Sequence, residues 1–185
     1  MHKIKNYENG VYLVLTGVDN KISNRVKSDF NFIKQSKYNH IGFLVKNNNE
    51  IFTVDIQPSK IKTFPFLVRQ SLDSFIEFYD AELDYMGIWR VEKMKKYNLV
   101  NAINEKDSVF YDYDFDNHSN DTLYCSEFVA KTLKKITKGN LNLILLKRKL
   151  NTKERFFLDK DSIEYYPVDF FLKDDNFVFI DEWVK

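Results

Sequence analysis

The clearest pattern along the chain is a period-two alternation on either side of an Asn-rich turn. In His40-Ile-Gly-Phe-Leu-Val-Lys46, the residues Ile41, Phe43 and Val45 point to one side, and His40, Gly42 and Leu44 to the other. Glu50-Ile-Phe-Thr-Val-Asp-Ile56 repeats the alternation and ends before Pro58, so the two runs predict a β-hairpin. Further strands are expected at Val11 to Thr16, at Tyr85 to Val91 and, near the end, at Asn176 to Ile180. Helical spacing takes over elsewhere. Val26, Phe30 and Ile33 follow a cap at Ser23 or Asn24. Leu67, Ser71, Ser74 and Phe78, with Leu72 and Phe75 beside them, predict a helix of about four turns. A short helix is expected over Lys95 to Ile103. An amphipathic one over Ser126 to Thr137 buries Phe128, Val129, Leu133 and Ile136. Tyr111 to Asp121 is an acidic, aromatic loop, and the last third holds weaker helical segments. Strands and helices mixed without βαβ regularity predict an α+β fold rather than a doubly wound sheet.

Composition narrows this picture. The 185 residues include only five Gly and three Pro, with no linker or internal repeat, which predicts a single domain over 1–185. At 44% apolar and 16% aromatic, the chain can fill a sizeable core. Lys and Arg number 28 against 27 Asp and Glu, a net charge of +1 that gives no reason to expect nucleic acid or an anionic membrane as partner. The basic stretch Lys147-Arg148-Lys149, with Lys153 and Arg155, reads as a solvated loop because no aromatic stacking platform is interleaved with it. A single cysteine forms no intrachain disulfide. The first ten residues lack the apolar stretch of a secretory signal, and no run approaches the ~20 apolar residues that span a bilayer. A cytoplasmic location and no stable membrane insertion are the default expectations.

Cys125, in Leu-Tyr-Cys-Ser-Glu-Phe-Val-Ala, immediately precedes the amphipathic helix. Unpaired N–H groups and the positive end of the helix dipole stabilise a thiolate there, which makes the sulfur a nucleophile near neutral pH. A lone cysteine is more often a small buried hydrophobe, so its weight depends on a histidine meeting it. His40, which opens the first hairpin strand, is the candidate. His2 and His118 are weaker ones. If the hairpin turn is four residues, Lys46 to Asn49, paired positions sum to 95 and Asp55 lies directly across from His40. Asp55 would then hold one ring nitrogen and aim the other at the thiolate. A three-residue turn would put Asp55 on the wrong side. Gly42 has two equal readings: close packing in the strand, or an uncrowded approach for substrate. Competing sites fare worse. Asp112, Asp114, Asp116 and Asn120 resemble a calcium loop, but Asn117 replaces the turn glycine and Leu123 the bidentate glutamate. Zinc held by His40, Cys125 and an aspartate lacks any supporting ligand spacing. No metal or cofactor is expected.

Three stretches together resemble one family. Tyr38-Asn39-His40-Ile41-Gly42-Phe43-Leu44-Val45 is similar to the Ser-His-Val-Gly strand of the circularly permuted NlpC/P60 papain-like proteins, the YiiX/YebB-like group. Tyr111-Asp112-Tyr113-Asp114-Phe115 followed by Leu123-Tyr124-Cys125-Ser126-Glu127-Phe128-Val129 resembles its tyrosine/aspartate loop and Tyr-Cys-Ser-Glu helix start. Tyr166-Pro167-Val168-Asp169-Phe170 matches its later Pro-x-Asp-Phe segment. Histidine precedes cysteine, as in the permuted branch. The resemblance implies a helix carrying Cys125 packed on an antiparallel sheet carrying His40. It also implies a third polar position, commonly Glu, which Asp55 fills here. Glu127 would cap the helix, and Tyr124 would line the cleft or position substrate. The expected activity is cysteine hydrolysis of an amide or peptide bond, for instance in a cell-wall peptide. Alternatives are a lipid acyl hydrolase or acyltransferase of the same fold, and a binding module without turnover. The partner would be a small peptide-like or acyl substrate.

Overall fold

In the computed structural model, the structure describes residues 4–18, 33, 36–48, 50–57, 67–79, 83–92, 99, 102, 109–113, 115, 119 and 121–185. Its centre is a six-stranded sheet in which all neighbours are antiparallel. The strands are β1 (Gly10–Gly17), β2 (His40–Asn47), β3 (Glu50–Ile56), β4 (Leu67–Ser71), β5 (Tyr85–Val91) and β10 (Phe177–Val184), in the spatial order β10-β5-β1-β2-β3-β4. Helix α1 (Leu72–Tyr79) follows β4. The short strands β6 (Phe110–Tyr111) and β7 (Thr122–Leu123) pair in parallel ahead of α2 (Cys125–Thr137). Strand β8 (Leu146–Lys149), helix α3 (Thr152–Leu158) and strand β9 (Ser162–Tyr165) form a separate antiparallel unit.

Both sides of the sheet are covered, so the middle strands are buried along nearly their whole length. On one side Leu13, Leu15, Ile41, Phe43, Val45 and Val54 pack against Phe128, Val129 and Leu133 of α2 and against Phe170 and Phe171. The Phe43 and Phe128 rings meet edge to face at 5.8 Å. On the other side Tyr12, Val14, Leu44, Met86 and Ile88 pack against Leu72 and Phe75 of α1. Amphipathicity fixes α2: its apolar stripe meets the sheet, and Lys138 in the left-handed region ends it, with the Gly139 N–H closing on the Lys134 carbonyl.

The α+β architecture, the hairpin and the α2 helix agree with the sequence pattern, and three local expectations change. Leu67 to Ser71 forms a strand, not the first turns of a helix. The open edge of β3 captures it residue for residue, from Phe52 opposite Ser71 to Ile56 opposite Leu67, and helix begins only at Leu72. Sheet pairing there overrides a spacing that also suits a helix. The hairpin closes at Asn47 opposite Glu50, so its connection holds two residues and not four. Asn48 takes a φ of 49°, which asparagine tolerates and which a tight hairpin connection requires. Finally, the last third contains the β8–α3–β9 unit, and the terminal strand runs on to Val184. The helix predicted behind Ser23 or Asn24, most of that over Lys95 to Ile103, and the residues Asp114, Asp116, Asn117, His118 and Asn120 lie outside the described residues, as does His2.

Candidate active site

Register decides how the hairpin presents its polar residues. Paired positions sum to 97 rather than 95, which puts Asp55 across from Gly42 and makes it the diagonal neighbour of His40. A shift of two preserves the side to which each residue points, so the carboxylate still reaches the ring. His40 Nε2 and Asp55 Oδ2 are 2.9 Å apart, with the aspartate fully buried. Gly42 makes this approach feasible. A Cβ built there would lie 2.7 Å from the Asp55 Cβ and 3.1 Å from the Val54 carbonyl oxygen. Close packing is therefore what the glycine serves. Thr53, Asp55 and Gln57 follow one another on this side of β3. Each keeps a buried polar atom (Oγ1, Oδ1 and Nε2) with no partner among the described residues, so the carboxylate stands on a polar seam rather than in hydrocarbon.

Cys125 is the first residue of α2 and meets the start of β2. Its sulfur hydrogen-bonds the His40 ring and the backbone at Ile41 and Ser126. With Nε2 engaged by Asp55, Nδ1 is the ring nitrogen left for sulfur. Cysteine and histidine keep 7% and 9% of their surface accessible, a narrow opening onto a nearly dry pair. Burial pushes the thiol up, but the His40 charge and the hydrogen bonds from His40, Ile41 and Ser126 outweigh it and bring the thiol below its ordinary value. The imidazole behaves in the opposite sense. Burial pulls it down, but the Cys125 charge and the hydrogen bond to Asp55 outweigh that and hold it above its ordinary value. The two shifts favour a thiolate–imidazolium pair.

Tyr124, just before α2, departs from the expectation that it lines the cleft, whereas Glu127 accepts a hydrogen bond from the Tyr124 backbone and caps the helix as expected. Tyr124 is buried against Phe115, Leu150, Ile163 and Tyr165, and its hydroxyl accepts the Tyr166 N–H at 2.8 Å, so it is committed to packing. Ser126 Oγ donates to the Tyr166 carbonyl at 2.6 Å. The backbone of Tyr166 therefore grips the residues on both sides of Cys125 and fixes where the sulfur points. Sequence reasoning matched the Tyr166–Phe170 segment without finding this role, because backbone clamps leave no side-chain signature. Glu127 is fully buried and pairs with Lys131 at 2.8 Å. Burial foremost, with Asp112 adding, pushes its carboxyl up to about 7 against the pull of Lys131. Asp112 is itself buried. Tyr111 lies near enough to Cys125 for the sulfur's charge to reinforce burial in raising its phenol. It is a neighbour of the thiol that residue spacing could not reveal.

His40 precedes Cys125 in the chain, the reverse of the usual papain order, so fold and site together define a permuted papain-like cysteine hydrolase. The chain belongs to the family described as permuted papain-like amidase enzymes, YaeF/YiiX (C92), whose pattern matches residues 22–176. Among solved structures it is similar to that of metalloprotein yiiX from Escherichia coli O157:H7, with a TM-score of 0.66 and 15% identity, covering 96% of this chain and 98% of that one. No curated protein sequence matches the chain. Among the described residues here, no group of three or more His, Cys, Asp or Glu side chains is arranged to hold a metal ion. No helix among them is long and apolar enough to cross a membrane.

Proposed function

We propose that the protein is a cysteine amidase acting on an amide or peptide bond, with Cys125 as nucleophile, His40 as acid and base, and Asp55 as the group that orients His40. The observation that carries this reading is the double engagement of one buried imidazole, held by a carboxylate through Nε2 and hydrogen-bonded to the sulfur. The thiolate attacks the carbonyl carbon and forms a C–S bond, and backbone N–H groups at the start of α2 stabilise the oxyanion. His40 gives its proton to the departing nitrogen as the C–N bond breaks. It then takes a proton from water, which attacks the thioester; the C–S bond breaks, and acid and amine leave. A small peptide, such as a cell-wall peptide, suits this chemistry.

The test pairs turnover with thiol reactivity. Release of amine from a panel of peptide amides, muropeptides included, is expected from the wild type and should fall by at least about 10⁴-fold in Cys125→Ala. The rate of alkylation by iodoacetamide should reach half its plateau below the ordinary thiol value of about 8.5. Turnover that survives in Cys125→Ala, or a thiol titrating at or above that value, would contradict the reading.

A further inference from the structure

Phe156 and Phe157 directly follow the basic stretch in sequence, and the fold decides how the two are presented. Helix α3 starts at a complete capping box: the Asn151 side chain accepts the N–H groups of Lys153 and Glu154, and Glu154 reaches back to the Asn151 N–H. This cap fixes a short helix with no buried residue, which holds Phe156 and Phe157 in solvent at 84% and 71% exposure. Their rings touch edge to face at 5.7 Å, and among the described residues no other large apolar side chain is as open. Lys153 lies three and four positions before them and so shares their side of the helix. Behind the helix runs a cleft lined by Lys147, Lys149, Leu150, Arg155, Asp161 and Ser162. From residue 147 to 164, six Lys or Arg stand against four Asp or Glu. Three of the acids are engaged: Glu154 by Arg148, Asp161 by Arg155 and Glu164 by Lys147. Among the described residues Lys149 and Lys153 have no ion pair, and both are exposed.

We infer that the β8–α3–β9 unit is a peripheral docking surface for an anionic lipid bilayer, with Phe156 and Phe157 entering the headgroup boundary and Lys149, Lys153 and the basic cleft meeting lipid phosphates. Charge complementarity selects this occupant. An aromatic pair with Lys153 on its side of the helix and Lys149 in the adjoining cleft suits a surface that is anionic outside and apolar just beneath. A second copy would bring the same lysines face to face, and two rings cover far less than the roughly 1,000 Å² of a stable interface. The surface also lies close to the chemistry. Leu150, Leu158 and Ile163 of this unit share one apolar cluster with Tyr124, the residue before Cys125.

Co-sedimentation of the full chain with phosphatidylcholine vesicles, with and without phosphatidylglycerol, tests the proposal and does not depend on turnover. The wild type should bind the anionic vesicles, and added salt should weaken binding. Phe156→Ser with Phe157→Ser, which leaves no cavity, should lower binding by about tenfold or more with an unchanged melting curve. Lys149→Glu with Lys153→Glu should abolish the preference for phosphatidylglycerol. Several results would overturn the idea. One is no binding by the wild type; another is equal binding by the phenylalanine variant. Release of the protein by soluble glycerophosphate would identify a site for free phosphate instead. A change in oligomeric state on replacing the phenylalanines, without vesicle binding, would identify an interface between copies.

Discussion

Two antiparallel hairpins of this protein each carry an ionic pair across their strands, and the pairs have opposite characters. In β2–β3 the partners are diagonal neighbours, His40 and Asp55, 2.9 Å apart and almost wholly buried. In β8–β9 the partners are directly opposed, Lys147 and Glu164, 3.2 Å apart, with side chains 66% and 53% exposed. Their separation is almost the same. What differs is water. Around Lys147 it screens both charges and competes for each, so the pair is worth little. Burial leaves His40 almost none, so neighbouring charges act strongly, and the thiol and the imidazole are driven in opposite directions. The difference teaches that burial, more than contact distance, separates a reactive pair from a decorative one.

The sharpest way to break the comparison is to neutralise the buried carboxylate. Asp55→Asn keeps the shape but removes its charge, and a neutral amide stabilises the imidazolium less well. His40 loses two of the influences that raise it, so its pKa should fall. A weaker imidazolium also stabilises the thiolate less, so the thiol should titrate higher. Turnover should drop on the order of 10³-fold, and the rising limb of the alkylation profile should move to higher pH. An unchanged limb would mean that Asp55 does not tune the pair.

Next comes the residue that lets the strands close. Gly42→Ala puts a methyl group 2.7 Å from the Asp55 Cβ, with strand backbone beside it, so neither side can yield cheaply. The expected loss of stability is about 1–3 kcal/mol. The surviving folded fraction should show a thiol shifted upward, because Asp55 is displaced from the ring. A control exists at Gly10, where an added Cβ meets only the Tyr12 ring at 3.7 Å, an ordinary contact. Gly10→Ala should leave the thermal midpoint and thiol titration unchanged. If the two variants behave alike, close packing is not what Gly42 provides.

These two positions also show how far the sequence could be read. His40, Asp55 and Cys125 were legible because strand parity and a helix start are local properties, and parity survives a register error of two. The register itself was not legible, since Asn48 in the left-handed region permits a tighter connection than its Asn-rich neighbourhood indicates. Strand β4 was missed because Leu67 to Ser71 suits helical spacing, and only the waiting edge of β3 decides otherwise. Tyr124 looked like a cleft residue from its place beside the nucleophile. Its burial depends on Leu150, Ile163 and Tyr165, which arrive from more than twenty residues away. The basic stretch reads as a solvated loop, but Lys147 to Lys149 pair with β9 as strand β8, and Lys153 and Arg155 lie on the capped helix α3 that presents Phe156 and Phe157.

The smallest effect is the other half of the comparison. Lys147→Ala removes one side of an exposed, directly opposed pair, so the Coulombic loss is screened and the freed side-chain entropy offsets part of it. Glu164, whose side chain is 53% exposed, stays in water when Lys147 is removed and incurs no desolvation. The variant should therefore melt within about 0.5 kcal/mol of the wild type, and raising the salt should shrink even that gap. Removing His40 from β2–β3 would instead leave the fully buried Asp55 carboxylate without its imidazole, which costs far more. A stability change of several kcal/mol in Lys147→Ala would show that distance and register, not exclusion of water, set the strength of such pairs here, and the contrast between the two hairpins would fail.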